Sequence, residues 1–164
     1  MLVQAGSYDL CNPSDPTTPV NYFPWTMAYP GPWVNPPSND TITPGDVMYS
    51  SITMNTPGMF TTMLKDITKG WSFSVDTTDT GFTSLTRGDI IVEDEGGSSN
   101  LPLVPFNPNP IKFTNSQYSI NGSTPAPLTQ APSLTCLNIN RNGTILEQTS
   151  QISVGNFNET WKQQ

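Results

Sequence analysis

The sequence predicts an all-β protein, an antiparallel sandwich of two sheets. Short apolar or alternating runs recur between turn residues, and no stretch has a sustained helical period. The 164 residues include 17 prolines and 12 glycines, which suits a chain of short strands and many turns. Four tryptophans, five tyrosines and seven phenylalanines are enough for a hydrophobic core. A chain of this length forms one domain, which we expect to span residues 1–164.

The strands are predicted where apolar residues alternate or run together between turn residues. In chain order they cover residues 20–29, 46–54, 60–66, 71–75, 89–94, 111–114, 137–141 and 144–148. Thr68-Lys69-Gly70 predicts a hairpin turn between the third and fourth of these strands. Asn142-Gly143 joins the last two strands and is the strongest hairpin signal in the chain.

Two segments lack any strand pattern. Residues 95–110 are rich in proline around Leu103-Val104-Pro105-Phe106, and residues 121–133 are rich in serine, threonine and proline. Both are too long to be simple turns. We therefore expect them to form either the ordered walls of a cleft or mobile surface loops.

The charge balance and the residue types exclude several classes of function. Thirteen acidic and six basic residues give a net charge of −7, which argues against a general nucleic-acid binder. Histidine is absent, which excludes Ser-His-Asp and Cys-His nucleophiles and zinc sites that use imidazole. The chain contains no run of about 18 apolar residues, so we expect no membrane span. No metal-ligand spacing occurs, and we expect no metal ion.

Several features favour an extracellular protein that works in acid. An acidic, lysine-poor surface loses charge and self-repulsion as the pH falls. Cys11 and Cys136 would form one long-range disulfide in a secreted chain, or remain two free thiols. Met1-Leu2-Val3-Gln4 leads directly into a polar segment, so we expect no signal peptide within these 164 residues. Four Asn-x-Ser/Thr sequons are candidates for glycosylation, at Asn39, Asn121, Asn142 and Asn158.

The acidic residues cluster around one predicted strand. Six of the thirteen acids lie within twenty residues: Asp76, Asp79, Asp89, Glu93, Asp94 and Glu95. Strand alternation places Glu93 on the opposite sheet face from Val92 and Asp94. Apolar neighbours and other acids would favour its protonated form, as a general acid/base that works in acid requires. Alternatively, Glu93 and Asp94 form a solvated strand end that opens onto a glycine loop.

The order of several motifs resembles that of the glutamic peptidases (eqolisins) of fungi. Ile91-Val92-Glu93-Asp94, a glycine loop, Leu103-Val104-Pro105-Phe106 and Ile111-Lys112-Phe113-Thr114-Asn115 are similar to consecutive blocks of that family. Upstream, Leu2-Val3-Gln4-Ala5-Gly6 is similar to its glutamine strand, and residues 22–30 are similar to an aromatic segment that ends in Tyr-Pro. The chain begins at the glutamine strand, so we expect the first strands of the family fold to be absent.

The resemblance implies a secreted endopeptidase with a concanavalin-like double-sheet fold that acts in acid without a metal or cofactor. Position by position, the catalytic glutamate falls on Glu93 and the catalytic glutamine on Gln4. Glu93 would activate water, and the Gln4 amide would stabilise the oxyanion. Trp25, Tyr29 and Trp33 would bind the substrate, a peptide or protein, or else they pack in the core.

Two other functions remain open at this stage. A concanavalin-like sandwich without activity would be an extracellular module that binds carbohydrate or protein. A glycosidase would need a second inward-facing acid opposite Glu93. Whichever of these functions applies, the peptidase included, we expect a monomer, with self-association through any exposed sheet edge.

Overall fold

The structure, a computed structural model, describes residues 2–10, 21–79, 81, 84, 86–93 and 109–162. The described residues form antiparallel strands and one short 3-10 turn, Leu128–Gln130. They divide into two compact units, Met1–Ile90 and Ile91–Gln164. The all-β prediction is confirmed. In the described part of the chain, no helix is long and apolar enough to cross a membrane.

The first unit contains two antiparallel sheets of three strands each. The first sheet has the order β1-β2-β3, and the second has the order β4-β5-β6. The strands are β1 (Leu2–Leu10), β2 (Asn21–Tyr29), β3 (Trp33–Val34), β4 (Met48–Thr56), β5 (Met59–Asp66) and β6 (Trp71–Thr78). Strands β1 and β2 contact β4 and β5, so the two sheets form two packed layers.

The core of the first unit follows from the alternation along β5. Phe60, Thr62 and Leu64 are buried at every second position, while the residues between them are only half-buried. Thr26 of β2 is buried on the opposing sheet. Between the layers, the Ser50 hydroxyl donates a hydrogen bond of 3.2 Å to the backbone oxygen of Ala5. The inner faces of both sheets therefore form one core.

The predicted turn after β5 is confirmed, and polar contacts fix it. Gly70 has a φ of 79°, which favours glycine, and its N–H donates to the Asp66 carbonyl at 2.9 Å. The Asp66 carboxylate accepts the N–H of Lys69 at 2.8 Å. The Lys69 ammonium forms an ion pair with Asp46 at 2.8 Å, which ties the turn to the residues that precede β4.

The second unit has one sheet of four strands and one small pair. The sheet has the order β10-β11-β12-β7, and β8 pairs with β9. The strands are β7 (Ile111–Phe113), β8 (Gln117–Tyr118), β9 (Ala126–Pro127), β10 (Ile139–Arg141), β11 (Thr144–Thr149) and β12 (Phe157–Trp161). Phe113 and Phe157 pair across neighbouring strands and stack at 4.6 Å between ring centroids. Leu146 and Phe157 are buried.

The Asn142-Gly143 hairpin is confirmed between β10 and β11. Asn142 and Gly143 have φ values of 53° and 83°, the signs that a type I′ turn requires. The Gly143 N–H donates to the side-chain oxygen of Asn140 at 3.0 Å. The turn residues and this side chain together fix the register of the hairpin.

The prediction of a strand over residues 89–94 is wrong for its described part. Residues 89–93 are not in a strand, and Ile90 and Ile91 are 41% and 54% exposed. An apolar run favours extended backbone, but a strand also needs a hydrogen-bonded neighbour. None of the described strands pairs with this segment. Asp94, Glu95 and residues 96–108 lie outside the described residues.

Other sequence predictions have mixed outcomes. The remaining predicted strands all overlap observed ones. The segment 121–133 is partly regular, because it contains β9 and the 3-10 turn. Cys136 is exposed and its thiol is free, while Cys11 lies outside the described residues.

Candidate active site

Gln4 lies on one face of the first sheet, together with the three aromatic residues predicted to bind substrate. Gln4 pairs with Met27 across β1 and β2, and Met27 pairs with Trp33 across β2 and β3. Paired residues of adjacent strands, and every second residue along each strand, project from the same side of a sheet. We call this side the Gln4 face. Its described side chains and glycine are those of Leu2, Gln4, Gly6, Tyr8, Asn21, Phe23, Trp25, Met27, Tyr29 and Trp33.

The aromatic rings of the Gln4 face form a stacked cluster. The rings of Trp25 and Trp33 stack with their centroids 4.8 Å apart and an interplanar angle of 14°. Tyr8 meets Trp33 edge-on at 5.4 Å. Trp25 is 8% exposed, whereas Trp33 and Tyr29 are 41% and 58% exposed. Trp25 therefore supports the cluster from within, while Trp33 and Tyr29 present open ring surface.

The Gln4 side chain is half-buried and held by a regular strand. Its backbone lies within nine consecutive antiparallel pairs between β1 and β2. Among the described residues, the Gln4 amide has no hydrogen-bond partner. A carboxamide offers two N–H donors and does not titrate. The amide is thus available to an external acceptor at any pH.

Glu93 belongs to the second unit and is exposed. Other acids of the predicted cluster have local partners instead. The Asp76 carboxylate accepts the Thr61 hydroxyl at 2.6 Å, and Asp79 accepts the N–H of Gly81 at 2.9 Å. Asp89 accepts the Arg87 guanidinium at 2.8 Å. Glu93 has no such partner in the part of the chain that the structure describes.

A second pair of carboxyls, outside the acidic cluster of residues 76–95, lies in the second unit. Glu147 of β11 and Glu159 of β12 are 3% and 5% exposed and share a hydrogen bond. Burial raises the pKa of Glu147 from 4.5 to about 8, and the charge and hydrogen bond of Glu159 add to the effect. Burial also raises the pKa of Glu159, opposed by hydrogen bonds from Thr149 and Glu147.

A pattern in the sequence does mark one member of this pair. Glu159 lies between Phe157 and Trp161 at every second position of a strand, so it shares a face with two aromatic rings. A shared hydrogen bond places the two carboxyls closer than the ~5 Å that retaining glycosidases need around a glycosidic bond. The pair is therefore a structural element and does not supply the second acid of a glycosidase.

The other candidate sites have these positions. The described residues contain no group of three or more Cys, Asp or Glu side chains that would hold a metal ion. The sequon residues Asn39, Asn121 and Asn142 are exposed. Asn158 is half-buried within β12, and its N–H donates to the Ser150 hydroxyl at 3.0 Å.

Comparison with known proteins identifies the family. A family model described as the Peptidase A4 family matches residues 1–160. The chain belongs to the peptidase A4 family. Membership makes it a glutamic endopeptidase, and the resemblance seen in the motifs is confirmed. A search of curated protein sequences gives no match.

Solved structures show the same fold as this A4 family member. Aspergilloglutamic peptidase from Aspergillus niger is similar at 23% identity and a TM-score of 0.77, over 98% of this chain and 89% of that chain. Scytalido-glutamic peptidase with a peptide-based transition-state analogue is similar at 22% identity and a TM-score of 0.63, over 87% of this chain and 70% of that chain. The fold is thus the β-sandwich of the glutamic peptidases.

Proposed function

We propose that this A4 peptidase is secreted and cleaves proteins in acid surroundings with a Glu/Gln dyad. Glu93 is the general acid/base that acts on water, and Gln4 stabilises the oxyanion. The observation that carries the proposal is the Gln4 amide, which projects from an open aromatic face and has no hydrogen-bond partner among the described residues. No cofactor enters the proposed reaction.

The proposed role of Gln4 follows from the chemistry of its side chain. An attacking water turns the peptide carbonyl oxygen into an oxyanion, which an N–H donor stabilises most strongly when it is already in position. The β1–β2 pairing fixes the Gln4 backbone. The Gln4 amide stays neutral and keeps both N–H donors in acid. A carboxylate would instead be protonated there and lose its charge.

Glu93 is the proposed proton carrier. As a carboxylate it accepts a proton from the attacking water, which then adds to the peptide carbonyl carbon. The tetrahedral intermediate collapses when the C–N bond breaks and Glu93 returns the proton to the leaving nitrogen. Each turnover thus consumes one water and regenerates the carboxylate.

The Gln4 face offers a binding surface for an extended peptide. Trp33 and Tyr29 present exposed rings, and Trp25 lies in the stack that holds Trp33 in place. Aromatic rings bind apolar side chains and peptide groups through large contact areas. We assign Trp33 and Tyr29 to direct substrate contact and Trp25 to their support.

Acid action and secretion are supported by charge and by surface chemistry. A net charge of −7 and a pI near 4.1 mean that repulsion between acidic groups falls as the medium becomes acidic. Asn39, Asn121 and Asn142 are exposed sequon residues, as glycosylation in a secretory pathway requires. We expect Asn158, half-buried in a strand, to be the poorest acceptor of the four.

The dyad is tested by hydrolysis of a denatured protein in acid, with pepstatin present to silence contaminating aspartic peptidases. We expect Gln4→Ala to lower kcat by about 10²–10³, as for loss of an oxyanion donor elsewhere. Glu93→Gln removes the general base, and we expect a loss of at least about 10². Circular dichroism and thermal unfolding of each variant check that the fold is retained.

Matched controls separate the dyad from surface effects. Gln148→Ala removes an exposed amide from the second unit, and Asp89→Asn removes an exposed carboxylate four residues before Glu93 in the sequence. Both should cleave like the wild type. Full activity of folded Gln4→Ala or Glu93→Gln would refute the assignment. A folded wild type without any hydrolysis would instead favour a module that only binds protein or carbohydrate.

A further inference from the structure

We propose that Gly6 forms a specificity pocket beside Gln4, which accepts a large apolar side chain of the substrate next to the cleaved bond. This inference rests on the proposed function and deepens it. A side chain at position 6 would project from the same side of β1 as Gln4, and Gly6 pairs with Trp25 of β2. No heavy atom beyond its chain neighbours lies within 4 Å of the position that a Cβ would occupy. The position above Gly6 is therefore open space on a face whose neighbouring positions carry side chains.

The surroundings of the gap explain why it is open. Gln4 and Tyr8 flank Gly6 along the strand on the same face, each about 6.7 Å away. The Trp25 ring stacks on the ring of Trp33. Trp33 belongs to β3, which lies on the far side of β2 from β1. Tyr8 also meets Trp33. The rings thus gather around Trp33, and the position above Gly6 stays uncovered.

The chemistry of the walls selects the occupant. Among the described side chains of the Gln4 face, none carries a formal charge, and the two carboxamides are Gln4 and Asn21. A charged side chain placed there would lose water without gaining an ionic partner. An aromatic or branched aliphatic side chain would bury apolar area against the half-buried ring of Tyr8. The pocket thus favours Phe, Tyr, Leu or Met beside the bond and disfavours Asp, Glu and Lys.

Gly6 suits a substitution experiment because the position tolerates a side chain. Its φ lies outside the left-handed region and the Cβ position is empty, so Gly6→Ala and Gly6→Val should fold normally. Ser7→Val is the matched control, since Ser7 is exposed on the opposite face of the same strand. It adds similar apolar volume without entering the pocket.

The test is a digest of a denatured protein mixture in acid with pepstatin, in which mass spectrometry identifies the residues beside each cut. For the wild type we expect enrichment of large apolar residues at one flanking position. Gly6→Val should reduce that enrichment about tenfold in favour of small residues, as expected when methyl groups fill an apolar pocket. Ser7→Val should cleave with the wild-type pattern. A Gly6→Val pattern that equals the wild type would overturn the proposal.

Binding without turnover separates this proposal from the dyad. Tryptophan fluorescence, to which Trp25 and Trp33 contribute two of the four tryptophans, follows titration with a Phe-containing peptide and with the same peptide carrying Asp instead. We expect tighter binding of the Phe peptide to wild type and about tenfold weaker binding to Gly6→Val. If no variant hydrolyses protein but this difference is seen, the dyad fails and the pocket stands. Equal affinity of Gly6→Val and wild type for the Phe peptide would reject the pocket even in an active enzyme.

Discussion

Individual side chains respond to acid in three different ways in this molecule. The Gln4 amide does not titrate, so its donors persist at every pH. The Lys69 ammonium, with further hydrogen bonds from Thr43, lowers the pKa of Asp46 from 3.8 to about 2. This carboxylate therefore keeps its ion pair in moderately acidic media. Glu147 behaves in the opposite way, because burial keeps it neutral to about pH 8.

The Glu147–Glu159 pair should make stability depend on pH. Folding raises the pKa of Glu147, so the folded state holds a proton that the unfolded chain releases above about 4.5. The stabilisation is complete below pH 4.5 and is lost as the pH rises towards 8. Lys112 of β7 pairs with Asn158, on the opposite face of the sheet from Glu159, so it does not offset the charge. We expect the urea midpoint to fall across this range.

Glu147→Gln tests the origin of this dependence. A glutamine keeps a hydrogen-bonding group at the site but does not titrate, so the midpoint should vary much less between pH 4.5 and 8. Glu93→Gln, which removes an exposed carboxylate of the same unit, should retain the wild-type slope. Equal slopes for Glu147→Gln and wild type would show that other groups cause the pH dependence.

Trp33 is the exposed ring whose loss should weaken substrate binding. Trp33→Ala removes the stack with Trp25, and aromatic pairs contribute about 0.5–1.5 kcal/mol beyond their buried area. We expect KM to rise roughly 2- to 10-fold with little change in kcat, because the ring does not touch the reacting bond in our proposal. Trp33→Phe should recover most of the loss. Tyr49→Ala, which removes an exposed ring from the second sheet, should leave both constants unchanged.

At the scale of whole elements, two turns in the second unit each contain a glycine with positive φ, and the space around the two glycines differs. Gly143 has a φ of 83° but open space around its Cβ position, so Gly143→Ala costs only backbone strain of about 1–2 kcal/mol. Gly155 has a φ of 81°, and a Cβ there would also overlap the backbone carbonyl of Ser116. We expect Gly155→Ala to lower the free energy of unfolding by more than Gly143→Ala. Urea titration of the two variants in acid measures this, and equal losses would mean that the backbone of Ser116 moves aside.

The same elements show what can be predicted from sequence. The Asn142-Gly143 hairpin was predictable because the turn chemistry is local. The prediction of a strand over residues 89–94 was wrong for its described part, because an apolar run does not show whether a partner strand lies beside it. The two-residue strands β3, β8 and β9 were not predictable for the same reason, since only their pairing in the folded structure defines them.

The candidate site was partly predictable. Motif resemblance brought Gln4, Trp25, Tyr29 and Trp33 to notice, and the register of β1, β2 and β3 places all four on one face. Composition did not suggest the buried pair Glu147 and Glu159, because isolated acids in a strand are usually exposed. The gap at Gly6 was also invisible in the sequence, since it depends on where neighbouring rings lean.

At the scale of the whole molecule, the outer edge of β1 predicts self-association. In the described part of the chain, β1 has β2 as its single neighbour, which leaves nine residues of strand edge unpaired. The net charge of −7 opposes association between copies and is screened by salt. We expect light scattering to show a monomer when dilute and dimers as protein and salt concentrations rise. A monomer under all these conditions would contradict the prediction.

The buried pair Glu147 and Glu159 also has a consequence for where such an enzyme would remain active. A peptidase whose second unit needs a bound proton remains folded in an acid medium and loses stability when that medium is neutralised. A loosened chain is itself a substrate for proteolysis. Transfer to a neutral compartment would then inactivate the enzyme through unfolding and proteolysis, without a dedicated inhibitor.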